Sequence, residues 1–345
     1  MYTRLKNIVD TVLSFRDTEE LIGIFPHLGA DGDALGSGLS LVLAFGKLNI
    51  NAVLLLDEEP VSQLQFLPCL DLIKVYTPDM LAEYSEKIKL ALAVDCHQSE
   101  RMGIRAKLFQ RISQQAIIDH HVHAGDYGEF AVIDTGASST AELVYNFIEL
   151  LEKETGEELF SKDIAVLLLV GLVTDTGRFS FPSTTARSFE QMARLMEFKP
   201  NLTSIHYELY ERIGLPQMLL RGEVLSRIKA SSDSRVVASS IPQSLLTKIG
   251  ACIDDLDTLP SEMRTIEGVE VAFLLREANE TGAVKVNIRS NKCFDSATYA
   301  MKYGGGGHVR AAGMTLRNIS LSEAEDMVMR EAAEILRKCD SQVDR

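Results

Sequence analysis

The feature that most constrains the fold is a short apolar segment that ends abruptly in polar residues. Gln115 to Ile118 is followed at once by Asp119, His120 and His121. Such a run is typical of a buried strand in a parallel sheet, and ligands bind at the carboxyl ends of these strands. Imidazole beside carboxylate suits a divalent transition metal. On its own, the segment fits equally well a core strand followed by two surface histidines.

Three other apolar segments end in the same way. These are the strand Leu21 to Phe25, the strand Lys89 to Val94 and the helix Lys162 to Val173. The polar residues that follow them are His27, Asp31, Asp33, Asp95 and Asp175. The alternation of strands and helices with short loops predicts a doubly wound parallel sheet of the α/β class. The acids and histidines would then gather along one edge of that sheet.

Ordinary structural roles compete with a functional role at several positions. Asp33 has the placement of a helix N-cap, which is a common use of aspartate. Ser139 and Glu142 have the spacing of a capping box, and a phosphate at the same helix N-terminus is the alternative. An acid that emerges from an apolar helix needs a partner, so Arg178 either pairs with Asp175 or points at a substrate.

Electrostatics favours cations at the predicted edge. The carboxylates that would meet there are Asp31, Asp33, Asp95 and Asp175. Two unit charges about 4 Å apart repel by about 4 kcal/mol at an effective dielectric constant near 20. Two divalent ions would balance the four acids, and the imidazoles of His27 and His120 favour Mn²⁺ over Mg²⁺. The pattern therefore predicts a two-metal site suited to phosphoryl chemistry.

Composition limits the partners. The 345 residues are 46% hydrophobic and 24% charged, as in a folded globular protein, and the net charge is -14. This charge argues against tight binding of long duplex nucleic acid, which needs many phosphate contacts. Five cysteines without a CxxC pair indicate reduced thiols and a cytoplasmic location. The first residues predict an amphipathic helix rather than a signal peptide, and no apolar run is long enough to span a membrane.

The sequence pattern changes near Asn201, which indicates a domain boundary. We expect a catalytic domain over residues 1–196, a linker over 197–217 and a smaller α/β domain over 218–345. The second domain shows strands at 235–241, 269–276 and 283–290, with a hairpin turn at 279–282. The glycine run Gly304–Gly307 predicts a flexible loop or, alternatively, an anion-binding concavity.

These motifs resemble the DHH phosphoesterase superfamily. The resemblance covers His27, Asp31 and Asp33 with Gly36-Ser37, then Asp95, then Asp119-His120-His121, and then Asp175-Thr176-Gly177-Arg178. Near the C-terminus, Gly304 to Gly307 with His308 is similar to the signature of the DHH-associated domain. Within the superfamily the chain most resembles the bacterial bifunctional oligoribonucleases and pAp phosphatases, the nanoRNases. One departure is Val122, where many relatives have proline.

The resemblance implies a role for each matching residue. It assigns His27, Asp31 and Asp95 to one Mn²⁺, and Asp33, Asp95, His120 and Asp175 to a second, with Mg²⁺ or Co²⁺ as substitutes. His121 would face the substrate phosphate as an orienting group or proton donor. Asp119 would support the two histidines. His97 and His123 match no motif position and are expected to be surface histidines.

The implied substrate-binding residues are Arg289, His308, Gly305, Gly306, Gly307, Arg178 and Ser139. The expected activity is Mn²⁺-dependent release of 5′-mononucleotides from short oligoribonucleotides or dinucleotides, with removal of the 3′-phosphate from pAp as a second activity. One alternative is a phosphodiesterase for cyclic di-AMP or pApA. An alternative of another class is a nucleotide-binding regulator without activity. The sequence leaves open whether the protein is a homodimer.

Overall fold

A computed structural model describes residues 2–122, 127–256, 258–278, 280 and 282–343. The chain divides into two compact units, Met1–Arg212 and Ile213–Arg345. The domain limits at 196 and 218 stay a prediction. His123 and two residues of the predicted turn, Asn279 and Thr281, lie outside the described residues. Within the described ranges, no helix has both the length and the apolar character needed to cross a bilayer.

The first unit is built on a parallel sheet whose strands are near-continuous apolar runs. The strands are β1 (Leu21–Phe25), β2 (Asn51–Leu56), β3 (Ile73–Val75), β4 (Ile88–Val94), β5 (Gln114–Asp119) and β6 (Ala131–Ile133). Their order is β3-β2-β1-β4-β5-β6, and every neighbouring pair is parallel. The chain therefore reverses its direction of progress across the sheet between β1 and β4. This order confirms the doubly wound α/β class and places a ligand crevice at the carboxyl ends of these two strands.

Helices cover both faces of this sheet. They are α1 (Tyr2–Leu13), α2 (Gly32–Lys47), α3 (Leu81–Lys87), α4 (Ala106–Arg111), α5 (Thr140–Thr155), α6 (Lys162–Asp175), α7 (Ala186–Met196) and α8 (Leu202–His206). The larger core joins α1, α2, α5 and α6 to one face, and a smaller core packs α4 on the other. A single turn of π-helix, Tyr207–Glu211, follows α8. Because apolar residues point to both faces of each strand, the sheet is buried on both sides.

Glycines allow α2 to pack closely on two neighbours. A Cβ on Gly38 would lie 2.8 Å from the Leu54 side chain on β2, so this residue faces the sheet. A Cβ on Gly36 would lie 2.2 Å from the Leu167 carbonyl oxygen, so this glycine serves contact with α6.

The second unit has a mixed sheet of six strands in the order β11-β12-β10-β9-β8-β7. The strands are β7 (Lys229–Ala230), β8 (Val236–Ile241), β9 (Val271–Glu277), β10 (Ala283–Ser290), β11 (Gly306–His308) and β12 (Ala311–Arg317). The helices are α9 (Leu215–Ser226), α10 (Gln243–Ile249), α11 (Leu259–Met263), α12 (Ser296–Met301) and α13 (Leu321–Val343). Only β8 and β9 run parallel. Aromatic and aliphatic side chains from β9, β10, α12 and α13 form the core on one face.

The glycine run differs from the expected loop. Gly306 and Gly307 belong to the edge strand β11, which pairs with β12. The N–H of Gly305 donates to the Ala300 carbonyl oxygen, 2.9 Å away, so it is not available to an anion. A Cβ on Gly305 would lie 2.3 Å from the Gly313 carbonyl oxygen. Close strand packing therefore explains these glycines, and a substrate role for them stays a prediction.

The glycine contact between α2 and α6 can be tested by substitution. Gly36→Ala should lower the free energy of unfolding by about 1–3 kcal/mol, because the new methyl group has no space against the α6 backbone. Urea unfolding followed by circular dichroism measures this change. Gly46→Ala is the matched control, because it lies on the same helix with nothing within 4 Å of its Cβ position. We expect this control to be neutral or stabilising by up to about 1 kcal/mol, and an equal loss in both variants would contradict the packing argument.

Candidate metal centre

Two adjacent strands deliver the first ligands. His27 follows β1 and Asp95 follows β4, at the point where the strand order reverses. Asp95 has a left-handed backbone with φ of 58°, and its N–H donates to the Ile118 carbonyl oxygen of β5. This turn is uncommon outside glycine and is often found at functional sites.

One group of ligand atoms forms around His27. Its Nε2 lies 3.5 Å from Asp95 Oδ2 and 3.8 Å from Asp31 Oδ1. Its Nδ1 lies 2.9 Å from the Leu28 carbonyl oxygen. Because a carbonyl can only accept, Nδ1 carries a proton, which leaves Nε2 as the atom available to a metal ion. This is the tautomer that a metal ligand requires.

A second group forms around His120. Its Nε2 lies 3.0 Å from Asp175 Oδ2, 3.7 Å from Asp95 Oδ1 and 4.0 Å from Asp33 Oδ2. The same nitrogen is buried and makes no hydrogen bond of acceptable geometry. Asp95 thus contributes one oxygen toward each group. Three groups of donor atoms lie close enough to hold a metal ion: His27 with Asp31 and Asp95, Asp33 with His120 and Asp175, and Asp95 with His120 and His121. The first two groups contain the residues predicted as ligands, and the third adds His121, which was predicted to face the substrate.

The N-terminus of α5 fixes two of the acids. The N–H groups of Thr140 and Ala141 donate to the two oxygens of Asp33, at 2.6 and 2.8 Å. The Thr140 hydroxyl donates to Asp95 Oδ1 at 2.8 Å. A helix N-terminus favours negative charge, and here the carboxylate of Asp33 occupies the position that we considered for a phosphate.

Capping contacts correct two details of the sequence analysis. The N-cap of α2 is Asp31, which accepts from the N–H groups of Asp33 and Ala34, so Asp33 is not the cap. Ser139 is fully buried and caps α5 by accepting from the Glu142 N–H at 3.2 Å. With its hydroxyl engaged in the helix cap, Ser139 is not presented to a substrate.

Asp119 supports the centre from the layer behind it. It is fully buried; one oxygen lies 2.8 Å from His121 Nδ1, and the other contacts His97 Nδ1. His120 faces Asp175 instead, so Asp119 supports only one of the paired histidines. His97 is buried, which makes the prediction of a surface histidine wrong. Its only sequence signal was its position two residues after Asp95.

Burial and crowding shift the pKa values of the acids in opposite directions. Burial, followed by the charges of Asp95 and Asp175, raises the pKa of Asp33 well above its usual range. Burial also raises the pKa of Asp175, and His120 only partly offsets this effect. Burial of Asp95 opposes its ionisation, yet its hydrogen bonds with His121, His27 and Thr140 lower its pKa. Asp95 is therefore the acid most strongly held as a carboxylate.

Neighbouring carboxylates raise the pKa values of the histidines in the cluster. Burial lowers the pKa of His27, but Asp31 and Asp95 outweigh it and raise the pKa to about 10. Hydrogen bonds to Asp119 and Asp95 raise the pKa of His121 to about 10. Among the described residues, no lysine or arginine forms an ion pair with Asp31, Asp33, Asp95 or Asp175. Four acids with histidines as their only charged partners fit bound cations.

The remaining predicted residues lie in two other places. Arg178 does not pair with Asp175; its guanidinium carbon lies 4.7 Å from the centre of the Tyr210 ring. In the second unit, Arg289 of β10 is paired with Ala311 of β12, which is paired with His308 of β11. Side chains at paired positions point to the same face of a sheet, so Arg289 and His308 share one face. They lie two strands apart, which places their Cα atoms about 10 Å from each other.

Comparisons with known proteins match both units of the chain. The model of the DHH family, N-terminal domain, matches residues 21–172, and that of the DHHA1 domain matches residues 233–338. The "Bifunctional oligoribonuclease and PAP phosphatase NrnA" of Thermus thermophilus is 31% identical over 91% of this chain and 90% of its own length. The protein of the same name from Bacillus subtilis is 28% identical over 90% of this chain and 93% of its own length.

A more distant relative and two solved structures complete the comparison. The "Cyclic-di-AMP phosphodiesterase PdeA" of Listeria monocytogenes is 25% identical over 89% of this chain and 46% of its own length. An exopolyphosphatase-related protein from Bacteroides fragilis has a TM-score of 0.76 at 22% identity, covering 98% of this chain and 96% of that one. Exonuclease RecJ bound to manganese has a TM-score of 0.54 at 14% identity, covering 97% and 94%.

The fold and the cluster of carboxylates and imidazoles define a phosphoesterase of the metal-binding α/β type. The extent of the matches then gives the family: the chain belongs to the DHH phosphoesterases and carries both the DHH and the DHHA1 domains. The family resemblance inferred from the motifs is thereby confirmed.

The contact between α5 and the acids gives a prediction for metal binding. Thr140→Val removes the hydroxyl that donates to Asp95 but keeps the shape and the N–H that binds Asp33. Loss of such a supporting hydrogen bond should weaken Mn²⁺ binding by about 10- to 100-fold. Calorimetric titration with Mn²⁺ measures the affinity, and Thr140→Ser, which keeps the hydroxyl, is the control. Unchanged affinity in the valine variant would show that the hydroxyl does not support the ligand.

Proposed function

We propose that the protein is a Mn²⁺-dependent phosphohydrolase that releases 5′-mononucleotides from short oligoribonucleotides and removes the 3′-phosphate from pAp. The observation that carries this proposal is the convergence of two ligand groups on the shared carboxylate of Asp95. The relative with 31% identity, which is named as a bifunctional oligoribonuclease and PAP phosphatase, supports the choice of substrate. A cytoplasmic location and the absence of a membrane partner stay predictions from the sequence, and whether the protein is a homodimer stays open.

We assign the ligands to two sites. His27, Asp31 and Asp95 would hold one Mn²⁺, and Asp33, Asp95, His120 and Asp175 would hold the other. Bound divalent ions supply neutralisation of the phosphoryl oxygens and activation of the attacking water. The N-terminus of α5 contributes by holding Asp33 and Asp95 in place, so that the donors are positioned before substrate binds.

His121 is the proposed proton donor. Asp119 accepts from its Nδ1, which directs Nε2 away from the buried acid and leaves that atom for the substrate. More than a third of the side chain is exposed, unlike that of His120. Hydrogen bonds to Asp119 and Asp95 raise the pKa of His121, which favours the protonated imidazole that a proton donor needs. Asp119 is then a positioning residue because it is too deeply buried to reach a substrate.

Arg289 and His308 are the proposed site for the terminal 5′-phosphate of the substrate. They lie in one row of the second sheet, and the small side chain of Ala311 between them leaves space for an anion. A guanidinium binds a phosphate through two parallel hydrogen bonds, which makes arginine well suited to this role. The N–H groups of Gly304 and Gly305 donate to α12 carbonyl oxygens, so we expect side chains rather than backbone to bind the phosphate.

One panel of substrates tests the proposed activity. With Mn²⁺, the protein should hydrolyse pAp, pApA and a short RNA to 5′-mononucleotides, and it should act poorly on long duplex RNA. EDTA should abolish turnover and Mn²⁺ should restore it. Chromatography of the products measures both effects. Hydrolysis of cyclic di-AMP alone would favour the phosphodiesterase alternative, and binding of all ligands without turnover would favour the inactive regulator.

Asp95→Asn tests the shared ligand. Because this change removes the charge of the one carboxylate that faces both groups, kcat should fall by at least about 1,000-fold while the fold is kept. Steady-state kinetics with pAp measures the loss, and the melting temperature reports on folding. Arg212→Lys is a control, since Arg212 forms its ion pair with Glu208 outside the cluster. A variant at Asp95 with more than a tenth of the wild-type kcat would refute the assignment.

Arg289→Ala tests the phosphate site separately. The expected result is a KM increase of about 10-fold or more for pApA with little change in kcat, because the lost contact acts on binding. ApA, which lacks the 5′-phosphate, should be affected much less. If both substrates lose efficiency equally, the 5′-phosphate is bound elsewhere.

A further inference from the structure

An exposed arginine rests on an aromatic ring beside the candidate metal centre. Arg178 follows Asp175 by three residues, just beyond the end of α6. Its guanidinium carbon lies 4.7 Å from the centre of the Tyr210 ring. Among the described residues, no carboxylate lies within ion-pair distance of Arg178. Within the described part of the chain, no acid therefore neutralises the charge of Arg178, which lies close to a site that would bind phosphates.

The backbone at this position is unusual. Gly177, Arg178 and Phe179 are consecutive residues with φ of 52°, 60° and 62°. For residues other than glycine, this left-handed conformation costs about 1–2 kcal/mol each. A Cβ on Gly177 would lie 2.5 Å from the ring of Phe181, so this ring fixes the turn against the glycine. Strain of this kind persists where the surrounding structure holds it, often at ligand sites.

Hydrogen bonds hold the turn in place. The carbonyl oxygen of Thr176 accepts from the N–H groups of Ser180 and Phe181, both at 2.9 Å. The hydroxyl oxygen of Thr176 accepts from the Phe179 N–H at 3.0 Å, and the Arg178 N–H donates to the Val173 carbonyl oxygen at 2.8 Å. The orientation of Arg178 is therefore set by a rigid turn at the end of α6.

The ring beneath Arg178 is anchored as well. Tyr210 lies in the π-helical turn Tyr207–Glu211, a rare element that is frequent at functional sites. Its hydroxyl donates to the Val173 carbonyl oxygen at 3.1 Å. The neighbouring Leu209 is buried, and its carbonyl oxygen accepts from the Gln63 side chain. Ring and turn are both tied to the end of α6, which also carries Asp175.

Arg178 and Tyr210 lie at the end of α6 that carries Asp175, because both bond to the Val173 carbonyl oxygen. Burial raises the pKa of Tyr210, the charge of Arg178 opposes that shift, and the charge of Asp175 adds to it. The pKa of Tyr210 therefore depends on the charges of both Arg178 and Asp175. The guanidinium of Arg178 lies over the Tyr210 ring and the residue is exposed, so a planar cation is accessible to a ligand at this position.

We propose that Arg178, supported by Tyr210, is the platform on which the nucleobase of the reacting nucleotide stacks. This inference rests on the proposed function and deepens it by assigning base recognition to the first unit. Arginine planes and aromatic rings stack with any base, because every base has a flat π-face. The platform would thus bind substrates irrespective of sequence, as an enzyme that clears mixed short oligonucleotides requires. In this assignment Arg178 contacts the base and not the phosphate.

A comparison of substrates with and without a base tests the proposal. The substrates are pAp and its abasic counterpart, ribose 3,5-bisphosphate. Stacking on one base is worth about 5- to 100-fold, so the wild type should prefer pAp by a factor of this order in kcat/KM. Arg178→Ala should remove this preference by lowering kcat/KM for pAp and leaving the abasic substrate unchanged. Arg178→Lys, which keeps the charge without the plane, should resemble the alanine variant.

Variants of Tyr210 show how far the ring supports Arg178 in binding the base. Tyr210→Phe keeps the ring, so the preference should remain within about 3-fold of the wild type. Tyr210→Leu should lose part of it, because Arg178 then lacks its stacking partner. Arg194→Ala removes an exposed arginine of α7 whose partner is the exposed Glu197, and it should change neither substrate. Melting temperatures show whether each variant is folded.

The results distinguish failure of this inference from failure of the proposed function. Equal losses on both substrates in Arg178→Ala would overturn the platform and assign Arg178 to the phosphate, and no loss on either would overturn it as well. If the wild type hydrolyses neither substrate, the proposed activity fails on its own. Calorimetric binding of AMP against ribose 5-phosphate then decides the platform: an advantage of AMP that Arg178→Ala abolishes supports it, and equal affinities overturn it.

Discussion

The structure of the candidate site depends on how the start of one helix holds buried negative charge. The first N–H groups of α5 bind both oxygens of Asp33, and the hydroxyl of Thr140 binds Asp95. A buried carboxylate without such donors would be protonated or displaced, because burial strongly disfavours its charge. With them, two acids from separate strand ends stay in one pocket. Gly171 of α6 leaves the necessary space, since a Cβ there would lie 2.6 Å from Asp33 Oδ1.

Within the described residues, no lysine or arginine balances the negative charges of the same pocket. Burial, followed by the charges of neighbouring acids, raises the pKa values of Asp33 and Asp175. The carboxylate of Asp95 keeps a lowered pKa because three donors surround it. Stability alone does not explain such a cluster, because replacing a buried ionic group by apolar residues is often stabilising. The arrangement is explained when the acids serve to bind cations and, through them, phosphoryl groups.

Residues behind the candidate ligands hold the functional side chains in position. Asp119 contacts both His121 and His97. The two histidines that follow it in sequence have different surroundings: His120 faces Asp175 and Asp95, and the more exposed His121 contacts Asp119 and Asp95. At the other end of the site, the strained turn at Arg178 and the anchored ring of Tyr210 form a flat, cationic surface. Metal binding, proton donation and base stacking would each rest on a separate rigid element of the first unit.

The sequence alone determined the sheet and the edge at which the polar residues meet, because apolar runs define buried strands and parallel strands end at the same edge. It did not determine which groups touch. Asp33 and Thr140 are 107 residues apart, and Asp95 and Thr140 are 45 apart, so only the packing of α5 could reveal their contact. The burial of His97 and the strand formed by Gly306 and Gly307 likewise depend on neighbours distant in sequence. Local patterns fix where a side chain leaves the backbone, whereas tertiary packing decides what it meets.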